Sequence, residues 1–512
     1  SGADSISGGS EADVIHGGDT LNSSNDGDDI INGDDGADTI YGGYGNDTIS
    51  GGANNDEIYG GISGNTDYDN AIYGDNDTIT YENATNGVTV DFVNNQATGE
   101  GTDTLYGIEN AIGSAFDDTF VSKLDVSNKF DGNSGNETNG DSISYENVNV
   151  DTNDEANDKV VVNLSGTPDS DGYFEAQIYQ DGALTTTDYL KDIENITGSA
   201  GNDTLTGDSD SNTLKGLAGD DLLSGQESNN YLDGGAGSDT VTYEDKSVSV
   251  TVDFKNNEAS TSTQTDTLVS IENAIGGSAK DTFIMNEDNV DNTINGNNEE
   301  DTISYANYTS NAVNVNLSTT LAQTVVDNVS DDDIDTISNI EHVIGTSNDD
   351  EFIGSSLANS ISAGAGNDTI IAGVDVNNDG TIDSWSDDGA DYFDGGAGTQ
   401  DWLDYSIIEN DGGNNGISLT LDSANPESVT VKGASTDTIL NIENIKGTQD
   451  ADSIKGDVQN NSLLGNDGDD ILEGEGGADR LYGGADNDTL LGGAGDDTLM
   501  GEAGDDSLTG SL

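Results

Sequence analysis

The chain has 512 residues, of which 102 are Asp or Glu and 12 are Lys or Arg, giving a formal charge of −90 at pH 7. Such a chain repels nucleic-acid phosphates and anionic lipid headgroups, so neither is an expected partner. There is no Cys, which excludes a disulfide framework and a thiol nucleophile. We find no run of 18 or more apolar residues, so the chain is not expected to span a membrane.

Low hydrophobicity with high net charge is typical of disordered chains, because little apolar area can be buried to offset the ordering entropy. A regular sequence repeat argues against disorder, because disordered acidic segments have no fixed repeat length. In the N-terminal segment, residues 1–73, aspartates recur every nine residues at Asp29, Asp38, Asp47 and Asp56. An isoleucine follows each aspartate after one residue, so one apolar side chain also returns every nine residues.

Each position of this nonapeptide has a physical interpretation. Gly at the first, second and fourth places permits backbone conformations closed to other residues. The apolar eighth residue marks a strand too short to stand alone, which becomes stable when identical strands stack into a parallel ladder. Two nonapeptides then make one flattened coil, with carboxylates of successive coils about 4.8 Å apart. Such columns repel unless a divalent cation lies between them, and carboxylate and carbonyl oxygens select calcium.

The units GGYGNDTIS at 42–50 and GGAGDDTLM at 492–500 resemble the glycine- and aspartate-rich nonapeptide of the RTX (haemolysin-type) family. The resemblance implies that the first six residues form a calcium-binding turn and the last three a short strand of a parallel β-roll. It also implies type I secretion from a bacterium and folding outside the cell, where calcium is abundant.

A longer repeat predicts five modules after the N-terminal repeats. Each module has an Ile-Glu-Asn or Ile-Glu-His tripeptide, followed after two residues by a glycine that opens a nonapeptide, and a strand-like segment ending in Tyr lies upstream. The segments are module 1 at 74–140, module 2 at 141–238 with repeats at 198–238, module 3 at 239–300, module 4 at 301–400, and the strands of module 5 at 401–446. Between the tyrosine and the tripeptide, alternating strands such as VTVDF at 88–92 and 250–254 are expected, together with acidic loops of variable length. The loops are expected to emerge on one side of the solenoid.

In the middle of the chain the sixth residue alternates between Asp and Asn, as in Asp203, Asn212, Asp221, Asn230 and Asp239. Because two units close one coil, the alternation predicts one calcium-rich edge and one edge of neutral amides with poor calcium affinity. Residues 447–512 are C-terminal repeats. The predicted calcium ligands are Asp29, Asp38, Asp47, Asp56, Asp203, Asp221, Asp239, Asp350, Asp368, Asp375, Asn377, Asp379, Asp452, Asp470, Asp479, Asp488, Asp497 and Asp506.

One insertion, at 375–388 in module 4, breaks this register. Asp375, Asn377 and Asp379 occupy alternate positions and Gly380 is sixth, as in a helix-flanked calcium loop. Ser386 stands where the twelfth-place acid is expected, and glycine-rich sequence replaces the flanking helices. Two interpretations stay open, a separate calcium-binding insertion and a solvated acidic loop.

Catalytic groups are sparse. His16 and His342 are isolated, and neither a His-Glu-x-x-His zinc motif nor a Gly-x-Ser-x-Gly elbow occurs. Carboxylate pairs could serve a glycosidase, but the repeats already account for nearly all of them. We therefore expect no enzymatic activity.

Aromatic residues are a second place to look for binding. Most tyrosines, such as Tyr41 and Tyr59, follow a core residue and are interpreted as part of a β-structure surface. Trp385 and Trp402 flank the insertion and are the candidates for contact with a cell-surface glycan or another partner.

Together these features predict an all-β fold, an elongated parallel β-roll or β-solenoid with inserted strands and loops, which binds many calcium ions. The predicted function is that of a secreted structural protein at the cell surface, an S-layer, matrix or filament subunit that folds on binding calcium. Both ends fall inside repeats, so we expect open ends that template self-association into a homopolymer or lattice. The alternative is an adhesin stalk, or the calcium-binding and secretion region of a larger RTX toxin or enzyme.

Overall fold

The computed structural model describes residues 2–18, 27–62, 76–124, 126–148, 158–287, 290–317, 323–327, 334–355, 357–372, 390–406, 416–422, 425–431 and 436–510. Within these ranges the secondary structure consists of β-strands, without an α-helix. No helix there has the length and apolar character that crossing a bilayer requires. Two compact units are present, Ser1–Thr242 with Thr263–Ile271, and Tyr243–Ser262 with Glu272–Leu512.

Most strands have only three residues, because the nonapeptide supplies one apolar side chain and the middle residue of the strand buries it. In unit 1, Ile31 pairs with Ile49 in one sheet, and Ile40 pairs with Ile58 in the other, so partners are 18 residues apart. Consecutive nonapeptides therefore alternate between two parallel sheets, and two of them complete one coil. The predicted parallel β-roll is confirmed.

Unit 1 contains the following strands: β1 (Ser5–Gly9), β2 (Val14–His16), β3 (Ile30–Asp34), β4 (Thr39–Tyr41), β5 (Thr48–Ser50), β6 (Glu57–Tyr59), β7 (Thr78–Thr80), β8 (Thr89–Asp91), β9 (Gln96–Thr98), β10 (Thr102–Tyr106), β11 (Asn110–Ile112), β12 (Thr119–Val121), β13 (Lys129–Asp131), β14 (Ser142–Ser144), β15 (Lys159–Asn163), β16 (Phe174–Gln180), β17 (Ala183–Lys191), β18 (Asn195–Thr197), β19 (Thr204–Thr206), β20 (Thr213–Ala218), β21 (Leu222–Ser224), β22 (Tyr231–Ala236), β23 (Thr240–Thr242) and β26 (Thr265–Val269).

Unit 2 contains the remaining strands: β24 (Thr251–Asp253), β25 (Glu258–Ser260), β27 (Asn273–Ile275), β28 (Thr282–Ile284), β29 (Thr293–Asn295), β30 (Thr302–Ser304), β31 (Val313–Asn316), β32 (Gln323–Asp327), β33 (Ile334–Ser338), β34 (His342–Ile344), β35 (Glu351–Ile353), β36 (Ser360–Ser362), β37 (Thr369–Ile371), β38 (Tyr392–Asp394), β39 (Trp402–Asp404), β40 (Ile417–Thr420), β41 (Glu427–Val431), β42 (Thr436–Leu440), β43 (Asn444–Lys446), β44 (Ser453–Lys455), β45 (Ser462–Asp467), β46 (Ile471–Glu473), β47 (Arg480–Ala485), β48 (Thr489–Leu491), β49 (Thr498–Ala503) and β50 (Ser507–Thr509).

In unit 1, the first sheet has the order β1-β3-β5-β7-β11-β13-β17-β16-β15-β19-β21-β23. The second sheet has the order β2-β4-β6-β10-β9-β8-β12-β14-β18-β20-β22-β26. Neighbouring strands are parallel except around β9 and β16, which are antiparallel to both of their partners.

Unit 2 is built in the same way. Its first sheet runs β27-β29-β33-β32-β31-β35-β37-β39-β43-β45-β47-β49. Its second sheet runs β25-β24-β28-β30-β34-β36-β38-β42-β41-β40-β44-β46-β48-β50. The antiparallel members are β25, β32 and β41.

The segments between the tyrosine and the tripeptide of the modules contain inserted strands, as the sequence predicted. Four of them form a triplet of strands that is inserted into a sheet: β8–β10, β15–β17, β31–β33 and β40–β42. The reason lies in their alternating apolar residues, as in Val160 and Val162, which are fully buried in the core. The seven predicted segment boundaries stay predictions.

Candidate metal centre

The sixth residues of successive coils form hydrogen-bonded rows in the interior. The backbone N–H of Asp203 donates to Oδ1 of Asp221 at 2.7 Å, and that of Asp221 donates to Oδ1 of Asp239 at 2.8 Å. The sequence predicted the column but not these bonds, which place an amide dipole on every carboxylate in a row. The other carboxylate rows are Asp29-Asp47-Asp77-Glu109, Asp38-Asp56-Asp103, Asp118-Asp141-Glu194, Asp281-Asp301-Glu341, Asp350-Asp368-Asp401-Glu443 and Asp452-Asp470-Asp488-Asp506.

Glutamates end four of these rows, and sequence reasoning missed their role. They are the glutamates of the Ile-Glu-Asn and Ile-Glu-His tripeptides: Glu109, Glu194, Glu341 and Glu443. The sequence feature that marked these glutamates was the regular recurrence of the tripeptide. It showed where each glutamate lies in its module but not which residue the glutamate contacts.

The turn that follows each tripeptide satisfies its own aspartate. In the turn at 198–203, the Ser199 N–H donates to Oδ2 of Asp203 at 2.5 Å, and Ser199 Oγ donates to Oδ1 at 2.9 Å. Thr448 makes the same pair of bonds to Asp452, at 2.7 and 2.9 Å. Two protein donors therefore occupy the oxygens that a cation would use. Matching N–H bonds reach Asp118, Asp281 and Asp350.

A second class of turn leaves a carboxylate oxygen without a donor. In the turn at 465–470, Asn466 and Gly468 have φ values of 80° and 114°, a backbone region that turns N–H groups away from the aspartate. Within the described residues, the buried Oδ2 of Asp470 has no hydrogen-bond partner. The same is true of Oδ2 in Asp38, Asp56, Asp141, Asp221, Asp301, Asp368, Asp401, Asp479 and Asp488.

The first glycine of these turns has a different role from the one predicted. Gly465 does not have a positive φ, so its special conformation is not the reason for glycine. A Cβ atom at Gly465 would lie 2.0 Å from Asp470 Oδ2, and one at Gly483 would lie 2.2 Å from Asp488 Oδ2. Glycine is required there because the carboxylate packs directly against its Cα.

The asparagines of the alternating runs donate hydrogen bonds that aspartate cannot make. Asn212 Nδ2 donates to the carbonyl of Glu194 at 2.8 Å, and Asn461 Nδ2 donates to that of Glu443 at 2.9 Å. Asn230 Nδ2 donates to the Glu227 carbonyl of its own turn at 3.0 Å. This geometry supports the expected weak calcium affinity of these turns. However, the asparagine edge is short, because aspartates resume in the rows Asn212-Asn230-Asp266 and Asn461-Asp479-Asp497.

The tyrosines that end the DTITY-type segments are core residues, contrary to the surface interpretation. Tyr81 and Tyr305 are 2% and 0% exposed. The Tyr81 hydroxyl donates to Oδ2 of Asp103 at 2.8 Å, and the Tyr305 hydroxyl donates to Oδ2 of Asp335 at 3.2 Å. The phenol thus donates to Oδ2 of each carboxylate, while Oδ1 accepts a backbone N–H. Tyr41 and Tyr59 do lie half-buried on their sheet, where their rings stack 4.7 Å apart.

Burial makes the free carboxylates hard to ionise in the absence of a cation. Burial, together with the negative charges of the neighbouring Asp452 and Asp488, raises the pKa of Asp470 to about 8. Burial also raises the pKa of Asp221 to about 8, whereas that of Asp203 reaches only about 6, because the Val160 and Ser199 donors stabilise its charge.

The remaining predicted ligands are distributed as follows. Asp497 and Asp506 are half-buried members of the C-terminal rows. Asp375, Asn377, Asp379 and Trp385 lie outside the described residues, so the insertion at 375–388 stays a prediction. Trp402 is half-buried in β39, between Thr369 of β37 and Asn444 of β43.

The unpartnered oxygens match the ligand chemistry of calcium. Carboxylate and backbone carbonyl oxygens are hard donors, and a buried anionic oxygen without a donor is costly unless a cation binds it. Ten aspartates across the two units meet this condition. The fold and the site together define a parallel β-roll with calcium-type turns.

Comparison with protein families identifies these turns. The family model for the RTX calcium-binding nonapeptide repeat matches residues 1–20, 23–58, 33–67, 192–214, 206–241, 344–377, 446–481 and 473–508. These segments are RTX repeats, as the sequence resemblance indicated, and the RTX repeat is a calcium-binding class. A search of curated proteins returned no match to the chain.

Proposed function

We propose that the protein is an extracellular structural protein whose β-roll becomes ordered when calcium binds. The observation that carries the proposal is the set of buried aspartates with an unpartnered Oδ2, repeated coil after coil. Each such coil adds a buried negative charge beside the last one, so folding without a counterion becomes less favourable with each coil.

In the part of the chain that the structure describes, the ion pairs of three lysines lie away from these rows. The chain has 12 Lys and Arg residues for 102 acidic ones. The ion pairs formed by Lys191, Lys246 and Lys446 are with Asp131, Asp245 and Asp404, none of which belongs to a row. A divalent ion neutralises two carboxylates at once, and a ligand that binds only the folded state stabilises it by mass action.

Circular dichroism of the full chain tests this proposal. We expect high β content in millimolar calcium and loss of most of it in excess EGTA, with recovery when calcium is restored. Equal β content under both conditions would contradict the proposal. Magnesium at the same concentration is the matched control, because its smaller octahedral shell suits these turns poorly.

The cellular role that we propose is that of a secreted S-layer, matrix or filament subunit that associates with itself. Calcium is abundant outside cells, which supports folding there rather than before export. Light scattering coupled to size exclusion, with negative-stain imaging, tests self-association. Polymers or lattices in calcium that disperse in EGTA are expected, and a monomer in both buffers would contradict this role.

An adhesin stalk, or a region of a larger toxin or enzyme, is the second candidate. The observation that favours it is the set of inserted strand triplets, whose connecting segments differ in length between modules. Binding of cell-surface glycans by the wild-type chain but not by a Trp402→Ala variant would favour this candidate. The proposal includes no catalytic role.

A further inference from the structure

A group of carboxylates lies partly outside the nonapeptide pattern, where module 1 meets module 2. The turn that ends at Asp141 begins at Gly132, so ten residues replace the usual six from first glycine to aspartate. Glu137 lies within the extra length. Glu194, from the Ile-Glu-Asn tripeptide, reaches the same place after β17.

Three carboxylate oxygens converge there, one each from Glu137, Asp141 and Glu194, and all lie within 4.8 Å of one another. An ion that binds oxygens at 2.3–2.6 Å bridges separations up to about 4.6–5.2 Å. The spacing of the three oxygens therefore suits one calcium-sized ion.

Asp141 provides independent support for a ligand. Its side chain is 0% exposed, and its Oδ1 accepts the Asp118 N–H at 2.6 Å. Its Oδ2 has no hydrogen-bond partner among the described residues. The other two carboxylates are held in place around it, since Gly135 N–H donates to Glu137 Oε1 and Asp141 N–H donates to Glu194 Oε2, both at 2.7 Å.

We propose that Glu137, Asp141 and Glu194 form a binding site for a hard divalent cation of the calcium type. This site has three side-chain carboxylates as ligands, whereas each nonapeptide turn provides one. A cavity of about 690 Å³ adjoins Glu137 and Glu194 and gives room for water ligands. The ion joins the long turn to the tripeptide 53 residues later, across the chain segment that contains the β15–β17 triplet.

The test compares bound calcium in the full chain and in the Glu137→Gln and Glu194→Gln variants by native mass spectrometry. Both glutamines keep an oxygen that accepts the existing backbone hydrogen bond. Glu146→Gln, an exposed residue of module 2, is the matched control. We expect one ion fewer per chain in each of the first two variants and no change in the control.

Anomalous diffraction from crystals grown in calcium locates the ion directly. A peak bonded to Glu137, Asp141 and Glu194 in the wild type, absent in Glu137→Gln, is expected. Equal ion counts in all variants, or no peak at this cluster while the repeats hold calcium, overturns this inference and leaves the proposed function standing. A wild-type chain that binds no calcium overturns both.

Discussion

The backbone N–H of Asp401 donates to Oε2 of Glu443 at 3.0 Å, so a glutamate continues a row of aspartates. Within a run of repeats the next carboxylate comes 18 residues later, but here the β40–β42 triplet intervenes and the separation is 42 residues. The longer side chain of glutamate reaches the row from a turn of different shape. Asp301 and Glu341 show the same relationship at 3.0 Å.

Removal of this link should destabilise the calcium-bound roll. Glu443→Ala leaves the buried Asp401 N–H without an acceptor, at a cost of about 1–3 kcal/mol in the free energy of unfolding. Glu443→Gln retains an acceptor oxygen, so its free energy of unfolding should fall much less. Urea unfolding at fixed calcium measures both variants, and equal losses would show that the hydrogen bond is not the cause.

The two classes of turn predict different responses at adjacent positions of one row. Asp221→Asn removes a carboxylate whose Oδ2 has no protein donor, so it should remove one calcium site. The calcium-dependent part of the stability then falls by about 2.7 kcal/mol at a calcium concentration 100-fold above the dissociation constant. Asp203→Asn, at a carboxylate held by Ser199, should leave the number of bound ions unchanged. Equal ion loss in both variants, measured by calorimetric titration, would refute the distinction.

A methyl group at the first glycine of a calcium-type turn should disturb the ligand itself. In Gly465→Ala the new Cβ would lie 2.0 Å from Asp470 Oδ2, and overpacking of this kind costs about 1–3 kcal/mol. Gly61→Ala is the control, because no atom lies within 4 Å of its Cβ position. Thermal unfolding in calcium should separate the two, and a normal melting temperature for Gly465→Ala would contradict the close approach.

The hydroxyl of Tyr81 should stabilise the fold in addition to its buried ring. Tyr81→Phe keeps the buried ring but removes the donor to Asp103 Oδ2, which leaves a buried acceptor unpaired at about 1–3 kcal/mol. A double-mutant cycle with Asp103→Asn measures the coupling between the two side chains. Additive losses would show that the hydrogen bond contributes nothing to stability.

Stability without calcium should fall as the pH rises. Burial raises the pKa of Asp221 and Asp470 to about 8 in the folded chain, against about 4 for an unfolded aspartate. Between these values the folded state binds more protons than the unfolded state, so its stability is present at low pH and is lost towards pH 8. In EGTA the melting temperature should be higher at pH 5 than at pH 8, whereas calcium should raise it most at pH 8. A melting temperature in EGTA that increases with pH would contradict this assignment.

Much of the fold follows from the sequence because the nine-residue repeat restricts how the chain can pack. One apolar residue in nine and glycine at fixed places leave few arrangements other than stacked coils, and Ile31 pairs with Ile49 as that period requires. The class of each turn was harder to predict. Asp203 and Asp221 occupy the same sequence position, and their difference depends on whether residue two of the turn, Ser199 or Leu217, points its N–H inward.

The contacts of the modules could not be predicted from local spacing. Glu194 joins Asp141 across 53 residues, and the Tyr81 hydroxyl meets Asp103 of β10 across 22 residues that contain β8 and β9. Both contacts depend on the order of strands in the sheets, which places residues from distant segments side by side. The regular recurrence of the tripeptide and of the tyrosine marked these positions without revealing their partners.

The placement of the triplets affects how many strands each of the two sheets contains. In unit 1, β8–β10 enlarges the second sheet by two strands relative to a plain coil, and β15–β17 does the same for the first sheet. One triplet alone would leave the two sheets of unit 1 with unequal numbers of strands. Among the described residues, each sheet of unit 1 has 12 strands, whereas the sheets of unit 2 have 12 and 14, so loss of a single triplet would make unit 1 as unequal as unit 2.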